Sequence, residues 1–306
     1  MNPLKNHDMK RLSIIIVTYN SEHDIFDCVR SIQQYNDLQK DELELIVVDN
    51  KSNNPEPMFT ALRQQWGDDI ILISNDRNGG YGQGNNVGIR QASAPVLLIM
   101  NPDVRLMEPV FKEAVEAFDR EPRLTMLGMK QMFDERHESP YSFTVTYMMN
   151  GYLQTILSVL GNRTDCYLPR WMHFSGSCFF LSREKFLSVG LFDETNFMYG
   201  EEDDIHYRIY QRYGASMRYM PRLHYIHPMH QRKPDVDYER KLVDVAIAMN
   251  EKKGYPRLRT VRNRLKNVEL LIFFTRIKRL LGRSSADYLD FLYARRTMLK
   301  DYLANE

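Results

Sequence analysis

Residues 12–18 read LSIIIVT, a short stretch dominated by β-branched and aliphatic side chains. A continuous apolar run of this kind is typical of a strand that is covered on both faces in a parallel sheet. Similar runs follow at residues 43–48 (LELIVV), 70–73 (IILI) and 95–100 (PVLLIM), with helical patterns between them. Strands that alternate with helices predict an α/β fold with right-handed crossovers and a mainly parallel sheet.

Three of the predicted strands end in polar residues: Thr18-Tyr19-Asn20, Asp49-Asn50 and Asn101-Pro102-Asp103. Ligands of open parallel sheets bind beyond the carboxyl ends of the strands, so we expect these residues to share one rim. Pro102 stops its strand and fixes the backbone, which lets Asp103 project as a carboxylate ligand for a hard divalent cation. Asp49 is expected either to accept hydrogen bonds from a base or ribose or to cap the following turn.

A glycine-rich stretch at 78–88 (NGGYGQGNNVG) follows a predicted strand and opens a predicted helix. Loops of this kind let backbone N–H groups approach a phosphate at a helix N-terminus. A dinucleotide-binding fingerprint would follow the first strand instead, where this sequence has no glycine, and this argues against a Rossmann oxidoreductase. Glycines that serve only tight turns and close helix packing are an equally good interpretation of the cluster by itself.

The densest group of acids is Glu201-Glu202-Asp203-Asp204, which precedes a predicted helix at 205–213. Neighbouring like charges raise one another's pKa, which suits a general base, and acids also stabilise the N-terminal dipole of a helix. The apolar and aromatic residues between 192 and 199 favour a lined cleft over an open acidic surface.

Three histidines, His224, His227 and His230, follow a predicted strand at 216–220. Their spacing matches no zinc signature, and Pro228 breaks any helix that would carry all three. One histidine that completes a metal site built elsewhere is the better interpretation.

The bulk composition indicates a globular protein. The 306 residues carry a net charge of +1, which gives no global case for nucleic-acid binding. The three cysteines show no metal-ligand spacing, the N-terminus has no hydrophobic signal core, and the apolar run 270–274 is far shorter than the roughly 20 residues of a spanning helix. We therefore expect a cytoplasmic protein, in solution or at the inner face of the cell membrane.

The C-terminal region differs from the rest in its charge. Residues 252–283 contain eleven Lys and Arg but one acid, Glu269. An apolar stripe of Leu265, Val268, Leu271, Ile272 and Phe274 between these cations suggests peripheral membrane contact. Packing of the same helix on its own domain, or a homo-oligomer contact, is the alternative, whereas sparse aromatic interleaving argues against nucleic acid.

In combination, these motifs resemble family 2 glycosyltransferases, which are inverting enzymes with the GT-A fold. The resemblance covers roughly residues 12–230, and the NPDV variant at 101–104 is similar to bacterial rhamnosyltransferase-like enzymes of surface polysaccharide (capsule, O-antigen) synthesis. The segments that carry it are SIIIVTYN at 13–20, IVVDNKSN at 46–53, NGGYGQGNNVGI at 78–89, LLIMNPDV at 97–104, the stretch 175–208 and the region near His227. It implies a GT-A catalytic domain at 1–235 and a helical C-terminal extension at 236–306.

The resemblance also implies roles for individual residues. It assigns the nucleoside to Thr18, Asn20 and Asp49, and the donor diphosphate and sugar to Asn78, Gly79, Asn85 and Asn101. It assigns the metal, Mg²⁺ or Mn²⁺, to Asp103 and His227. Gly176 is assigned to the acceptor side, and Glu202 is the general base, with Asp204 in support. Two departures from the family pattern matter. Asn101 stands where the family usually has a second aspartate, and Glu202 replaces the usual aspartate, which leaves Glu201 as a rival base.

The implied reaction is a single in-line displacement at the anomeric carbon of a dTDP- or UDP-sugar by a hydroxyl of a saccharide or lipid-linked saccharide. Two other functions stay open at this point. A catalytically silent nucleotide-sugar-binding protein is compatible with Asn101. A sugar nucleotidyltransferase would require a glycine-rich, basic loop after the first strand, which this sequence lacks.

Overall fold

The computed structural model describes residues 10–146, 150–228, 235–282 and 286–304. Contacts divide them into two compact units. Unit 1 comprises residues 10–142 and 174–228, and unit 2 comprises the described residues of 143–173 and those after 235.

The strands are β1 (Leu12–Thr18), β2 (Leu43–Asp49), β3 (Ile71–Ser74), β4 (Val96–Met100), β5 (Arg105–Leu106), β6 (Met126–Met132), β7 (Phe143–Val145), β8 (Met172–Phe174), β9 (Cys178–Ser182) and β10 (Met217–Ile226). The helices are α1 (Ile25–Tyr35), α2 (Glu56–Trp66), α3 (Gly80–Gln91), α4 (Phe111–Arg120), α5 (Gly151–Thr164), α6 (Arg183–Ser188), α7 (Glu201–Tyr213), α8 (Val236–Lys252), α9 (Arg257–Leu280) and α10 (Ala286–Ala304).

Unit 1 is built on one eight-stranded sheet with the order β3-β2-β1-β4-β9-β6-β10-β5. Strands β3, β2, β1 and β4 are parallel, β9 runs antiparallel to both β4 and β6, and β10 is parallel to β6. The continuous apolar runs of β1, β2 and β4 are buried on both faces, as predicted. The predicted α/β fold with a mainly parallel sheet is therefore confirmed.

Two local expectations were wrong. The acidic run does not precede α7 but forms its first turn, because α7 begins at Glu201. Strand β10 continues past Met220 to Ile226, with a shift in pairing between Met220 and His224 around Pro221, which has no N–H to donate.

Unit 2 is mainly helical. Helices α8, α9 and α10 enclose an apolar core that includes Val243, Val261, Val268, Ile272 and Leu292. Helix α5 packs closely on α9, since a β-carbon on Gly151 would lie 1.8 Å from the Asn263 carbonyl oxygen. Contacts thus group residues 143–173 with the C-terminal helices, whereas the sequence-based division placed 1–235 in one domain and 236–306 in another. Of the helices that the structure describes, none combines the length and apolar character needed to cross a bilayer.

Candidate active site

The ends of β1 and β2 meet at Thr18 and Asp49, which are direct partners in the parallel register. The Thr18 hydroxyl donates to Asp49 Oδ1 at 3.3 Å, and the Ser52 backbone N–H donates to Asp49 Oδ2 at 2.9 Å. Both residues are buried. The bond from Ser52 shows Asp49 capping the turn after β2, at the rim where the sequence predicted the nucleoside.

Asn20 ties the loop after β1 to the loop after β2. Its backbone N–H donates to the Ser52 hydroxyl at 2.8 Å, and its side-chain oxygen accepts from the Asn53 N–H at 3.2 Å. Asn20 and Lys51 both adopt positive φ, at 50° and 70°. Non-glycine residues in this region of backbone space are concentrated at ligand-binding loops.

A network of side-chain amides holds the turn at Asn78 and Gly79. Asn50 Nδ2 donates to Asn78 Oδ1 and to the Gly80 carbonyl, both at 3.0 Å. Asn75 Nδ2 donates to Asn50 Oδ1 and to Gln83 Oε1, both at 2.7 Å. The sequence prediction included Asn78 and Gly79 but missed the amides that support them.

Gly79 is required by that packing. A β-carbon on Gly79 would lie 2.6 Å from Gln83 Oε1, and one on Gly80 would lie 1.8 Å from the Phe197 carbonyl oxygen. Asn85 is buried and donates to the Tyr81 carbonyl of its own helix at 2.9 Å. The predicted donor residues of this stretch therefore differ in placement: Asn78 and Gly79 are partly exposed, and Asn85 is turned into α3.

The structure brings Asp103 and His227 together. His227 Nε2 lies 3.3 Å from Asp103 Oδ2, and both side chains are partly exposed. His224 instead pairs with Glu108, with 2.7 Å between Nδ1 and Oε1, and His230 lies outside the described residues. The two residues that the resemblance assigns to the metal therefore lie side by side, and their role as metal ligands stays a prediction.

One carboxylate and one imidazole fit a divalent cation that draws its other ligands from phosphate oxygens and water. No group of three or more His, Cys, Asp or Glu in the described ranges is arranged to hold a metal ion by itself. The side chains present therefore suit a cation that binds together with a diphosphate better than one held by protein alone.

The acids of the first turn of α7 occupy different environments. Asp204 Oδ2 accepts from Arg208 Nε at 2.8 Å and from Arg208 Nη2 at 2.6 Å. That two-point ion pair, together with an Arg208 bond to the Val189 carbonyl, fixes the start of the helix. Asp204 thus holds the first turn of α7 in place. The support that we predicted it to give Glu202 would act through the position of this turn.

Glu202 lies against the α-carbon of Gly176. A β-carbon on residue 176 would be 1.9 Å from Glu202 Oε1 and 2.6 Å from Glu202 Cδ. Tyr81 fixes the same segment, since its hydroxyl donates to the Gly176 carbonyl at 2.6 Å. Burial, followed by the neighbouring Glu202 carboxylate, raises the pKa of Tyr81 and keeps this hydroxyl a donor.

Glu201 is only 3% exposed, and its Oε1 has no hydrogen-bond partner within the described part of the chain. Burial, and next the charge of Glu202, raise the pKa of Glu201 to about 8. The two adjacent carboxyls therefore differ in their exposure: Glu201 is buried and favours its neutral form, whereas Glu202 is partly exposed.

A single segment, Gly176-Ser177, connects the two halves of the candidate site. Gly176 contacts Glu202, and the Ser177 carbonyl accepts from the Asn101 N–H at 2.8 Å. The Ser177 hydroxyl in turn lies 2.9 Å from the buried hydroxyl of Tyr225, two residues before His227. Residues about a hundred positions apart in sequence thus converge at the start of β9.

A model of the family described as Glycosyl transferase family 2 matches residues 13–190, which is more than half of the chain. The match extends from β1 to the end of α6 and stops before the acidic turn of α7. It therefore covers the rim at Thr18, Asp49 and Asp103 but not Glu202.

The chain is also similar to named proteins of this kind. The low-salt glycan biosynthesis hexosyltransferase Agl10 of Haloferax volcanii is 30% identical over 205 residues, which cover 64% of this chain and 61% of that protein. The O-antigen biosynthesis protein RfbC of Myxococcus xanthus is 26% identical over 175 residues, covering 54% of this chain and 13% of that protein. The chain spans less than two thirds of the length of either relative.

Solved structures share the fold at low sequence identity. The mannosyltransferase PcManGT from Pyrobaculum calidifontis, in complex with GDP-Man and Mn²⁺, superposes with a TM-score of 0.56 at 16% identity, covering 94% of this chain and 69% of that one. S. aureus TarS (residues 1–349) with UDP-GlcNAc gives 0.57 at 14% identity, covering 97% and 92%. The predicted GT-A fold is confirmed.

Proposed function

The chain belongs to glycosyl transferase family 2, and from this membership we propose that it is an inverting glycosyltransferase. Its donor is a nucleotide-diphosphate sugar, and its acceptor is a hydroxyl of a saccharide or a lipid-linked saccharide. Two of its relatives are named for glycan and O-antigen biosynthesis, which supports a role in building a cell-surface polysaccharide. A UDP- or dTDP-linked hexose or deoxyhexose, including rhamnose, is the donor class we propose.

The observation that carries this proposal is the convergence on Gly176-Ser177. This segment contacts the Glu202 carboxylate on one side and the backbone of the Asn101-Pro102-Asp103 turn on the other. A transferase needs a base for the acceptor hydroxyl and a cationic or polar site for the leaving diphosphate. The geometry supports assigning those two tasks to Glu202 and to the turn with Asp103.

In the proposed reaction, Glu202 accepts the proton of the acceptor hydroxyl while that oxygen bonds to the anomeric carbon. The bond from the anomeric carbon to the phosphate oxygen breaks at the same time, and its electron pair leaves with the nucleoside diphosphate. Attack opposite to the leaving group inverts the anomeric centre. A divalent cation, Mg²⁺ or Mn²⁺, held by Asp103 and His227 would neutralise charge on the departing diphosphate.

The remaining rim residues bind and orient the donor. Thr18, Asn20 and Asp49 are proposed at the nucleoside, supported by their shared position at the ends of β1 and β2 and by the bonds that fix the two loops there. Asn78 and Gly79 are proposed beside the diphosphate or sugar, where amides hold the loop in one conformation. Glu201 is proposed to stay neutral near pH 7, which leaves Glu202 as the proposed base.

A catalytically silent nucleotide-sugar-binding protein is the second candidate, favoured by Asn101 in place of a second metal carboxylate. A panel of UDP-, dTDP- and GDP-sugars separates the two candidates. The donors are tested with Mn²⁺ and with simple alkyl glycosides as acceptors, and the release of nucleoside diphosphate is measured. We expect release from at least one donor, and release at least about 100-fold slower from the Glu202→Gln variant, which serves as the matched background. Nucleotide binding by calorimetry with no release above that background would support the silent protein.

A further inference from the structure

The last turns of α9 expose a set of large apolar side chains. Leu280 is 88% exposed and Leu281 is 64% exposed, while Phe273, Phe274 and Ile277 are each more than two fifths exposed. At about 3.6 residues per turn these five residues share one side of the helix. The opposite side, with Val268, Ile272 and Thr275, is buried. The end of α9 therefore has two apolar sides, and only one of them is covered.

Helix α5 also exposes an apolar side. Its buried side carries Gln154, Gly161 and Asn162, which are polar or small, whereas its outward side is apolar. The outward residues, each 40% or more exposed, are Tyr152, Leu153, Ile156, Val159 and Leu160. A soluble helix normally has the reverse pattern, with apolar residues inside. Exposed apolar surface of this extent marks an interaction site.

The two helices are neighbours in unit 2. Asn267 Nδ2 on α9 donates to the Thr155 hydroxyl on α5 at 2.6 Å, and the Tyr152 hydroxyl donates to Glu269 at 3.2 Å. The exposed residues of α9 begin one turn after these contacts, where α5 no longer covers the helix. We call the five outward residues of α5 and the five of α9 the apolar face.

Basic residues accompany the apolar face. Arg276, Lys278 and Arg279 are exposed among its α9 residues, and Arg163 is exposed at the end of α5. Among described residues 252–282 the one acid is Glu269, which is already bonded to Tyr152. Exposed aliphatic and aromatic side chains next to exposed cations match a surface that is apolar beneath and anionic at its boundary.

We propose that the apolar face binds the surface of a bilayer that contains anionic phospholipid. Phe273, Ile277, Leu280 and the α5 residues enter the acyl boundary, while Lys278 and Arg279 contact lipid phosphates. Of the stripe suggested by the sequence, Phe274 belongs to the apolar face, whereas Val268 and Ile272 lie in the core of unit 2 and cannot reach a membrane. The surface follows from exposure in the fold, and it does not depend on the proposed transferase reaction.

Vesicle flotation of the full-length chain tests the proposal, with phosphatidylcholine vesicles compared against vesicles of phosphatidylcholine and phosphatidylglycerol at 7:3. We expect at least about 10-fold stronger partitioning to the anionic vesicles, lost in high salt. Leu280→Gln and, separately, Lys278→Glu with Arg279→Glu should each weaken partitioning about 10-fold or more.

Matched controls are available in the same chain. Leu187→Gln removes an exposed leucine of α6, outside the face, and Lys241→Glu with Lys300→Glu reverses two exposed charges on α8 and α10. Both should partition like the unsubstituted protein. Partitioning that is absent, indifferent to anionic lipid, or equal in the Leu280 and Leu187 variants would overturn the proposal. So would a dimer in solution that Leu280→Gln converts to a monomer, since a second copy would then be the occupant.

Discussion

Gly176 and Glu202 are so close that the space for a side chain on residue 176 is occupied by the Glu202 carboxylate, with 1.9 Å between the position of a β-carbon and Oε1. The carboxylate is thereby restrained from one side by backbone. Tyr81 restrains the backbone in turn through its bond to the Gly176 carbonyl. The orientation of Glu202 is consequently set by residues from α3 and from the start of β9.

Gly176→Ala should displace the Glu202 carboxylate by an ångström or so. Misplacement on that scale costs about 100-fold in rate, so kcat for nucleoside diphosphate release should fall by about that factor. The Kd for the nucleotide, measured by calorimetry, should stay within about 2-fold, because residue 176 does not belong to the proposed nucleoside site.

The same contact supplies a rescue experiment. Glu202→Asp withdraws the carboxylate by one methylene and vacates the space that the new methyl group needs. The double variant Gly176→Ala with Glu202→Asp should therefore be more active than Gly176→Ala alone, which is a coupling between two residues in contact. Additive losses would contradict the steric explanation.

Glu202→Gln should lower kcat by about 100- to 10,000-fold with little effect on donor affinity, because an amide cannot accept the acceptor proton. Glu201→Gln should retain most of the activity, since the neutral form of Glu201 already predominates near pH 7. The ratio of the two kcat values decides between the adjacent acids. A fully active Glu202→Gln variant would remove Glu202 from the role of base.

Glu201 should make the protein less stable as pH rises. Its pKa is raised to about 8 in the folded state, so between about pH 4.5 and 8 the folded protein binds more protons than the unfolded chain. The free energy of unfolding therefore falls across that window. Glu201→Gln should remove this slope and raise stability at pH 7 by about 1 to 3 kcal/mol.

The measurement is urea unfolding from pH 5 to pH 9, and the exposed Glu184→Gln is the matched control. The control should follow the parent protein at every pH. Parallel curves for the Glu201 variant and the parent would mean that Glu201 is ionised in the folded state.

Metal dependence should follow the Asp103–His227 pair. Asp103→Asn and His227→Ala should each weaken Mn²⁺ binding in the presence of UDP by at least about 10-fold, as read from the metal-induced rise in Tm. His224→Ala is the matched control, because His224 pairs with Glu108. Equal losses in the His224 and His227 variants would contradict the assignment.

Asn101→Asp adds a carboxylate to the same turn. More charged ligands strengthen the binding of a hard cation, so we expect Mn²⁺ affinity to rise by about 10-fold. Titration of the metal against nucleotide-bound protein measures the change. An unaltered titration curve would indicate that residue 101 does not face the cation.

The strands could be predicted from the sequence, because an unbroken apolar run such as LSIIIVT has few alternatives to burial in a parallel sheet. The network of Asn50, Asn75 and Gln83 could not be predicted, because its members come from two loops and from helix α3. A side-chain amide in the sequence also looks the same whether it serves a turn or a network. Asp103 and His227 could be assigned to one metal only through the resemblance to a family, because nothing in the residues between them indicates that the two lie together.

The burial of individual helix faces was the other feature that the sequence could not predict. Glu201 and Glu202 are adjacent in the chain, yet on a helix they point about 100° apart, and the sequence does not say which one faces the interior. Likewise, hydropathy shows that α5 has an apolar side but not whether anything covers it. In both cases the missing information is what packs against the helix.

The position of β9 has a consequence for biosynthesis. This strand lies between β4 and β6 in the sheet, but it follows both in the chain, with residues 143–173 in between. A nascent chain can assemble β1 to β4 as soon as they leave the ribosome, whereas β4 and β6 keep unpaired edges until residue 182 has been translated. Ribosome stalling inside residues 143–173 would therefore release a polypeptide with open edges on β4 and β6, the kind of surface that chaperones must shield from aggregation.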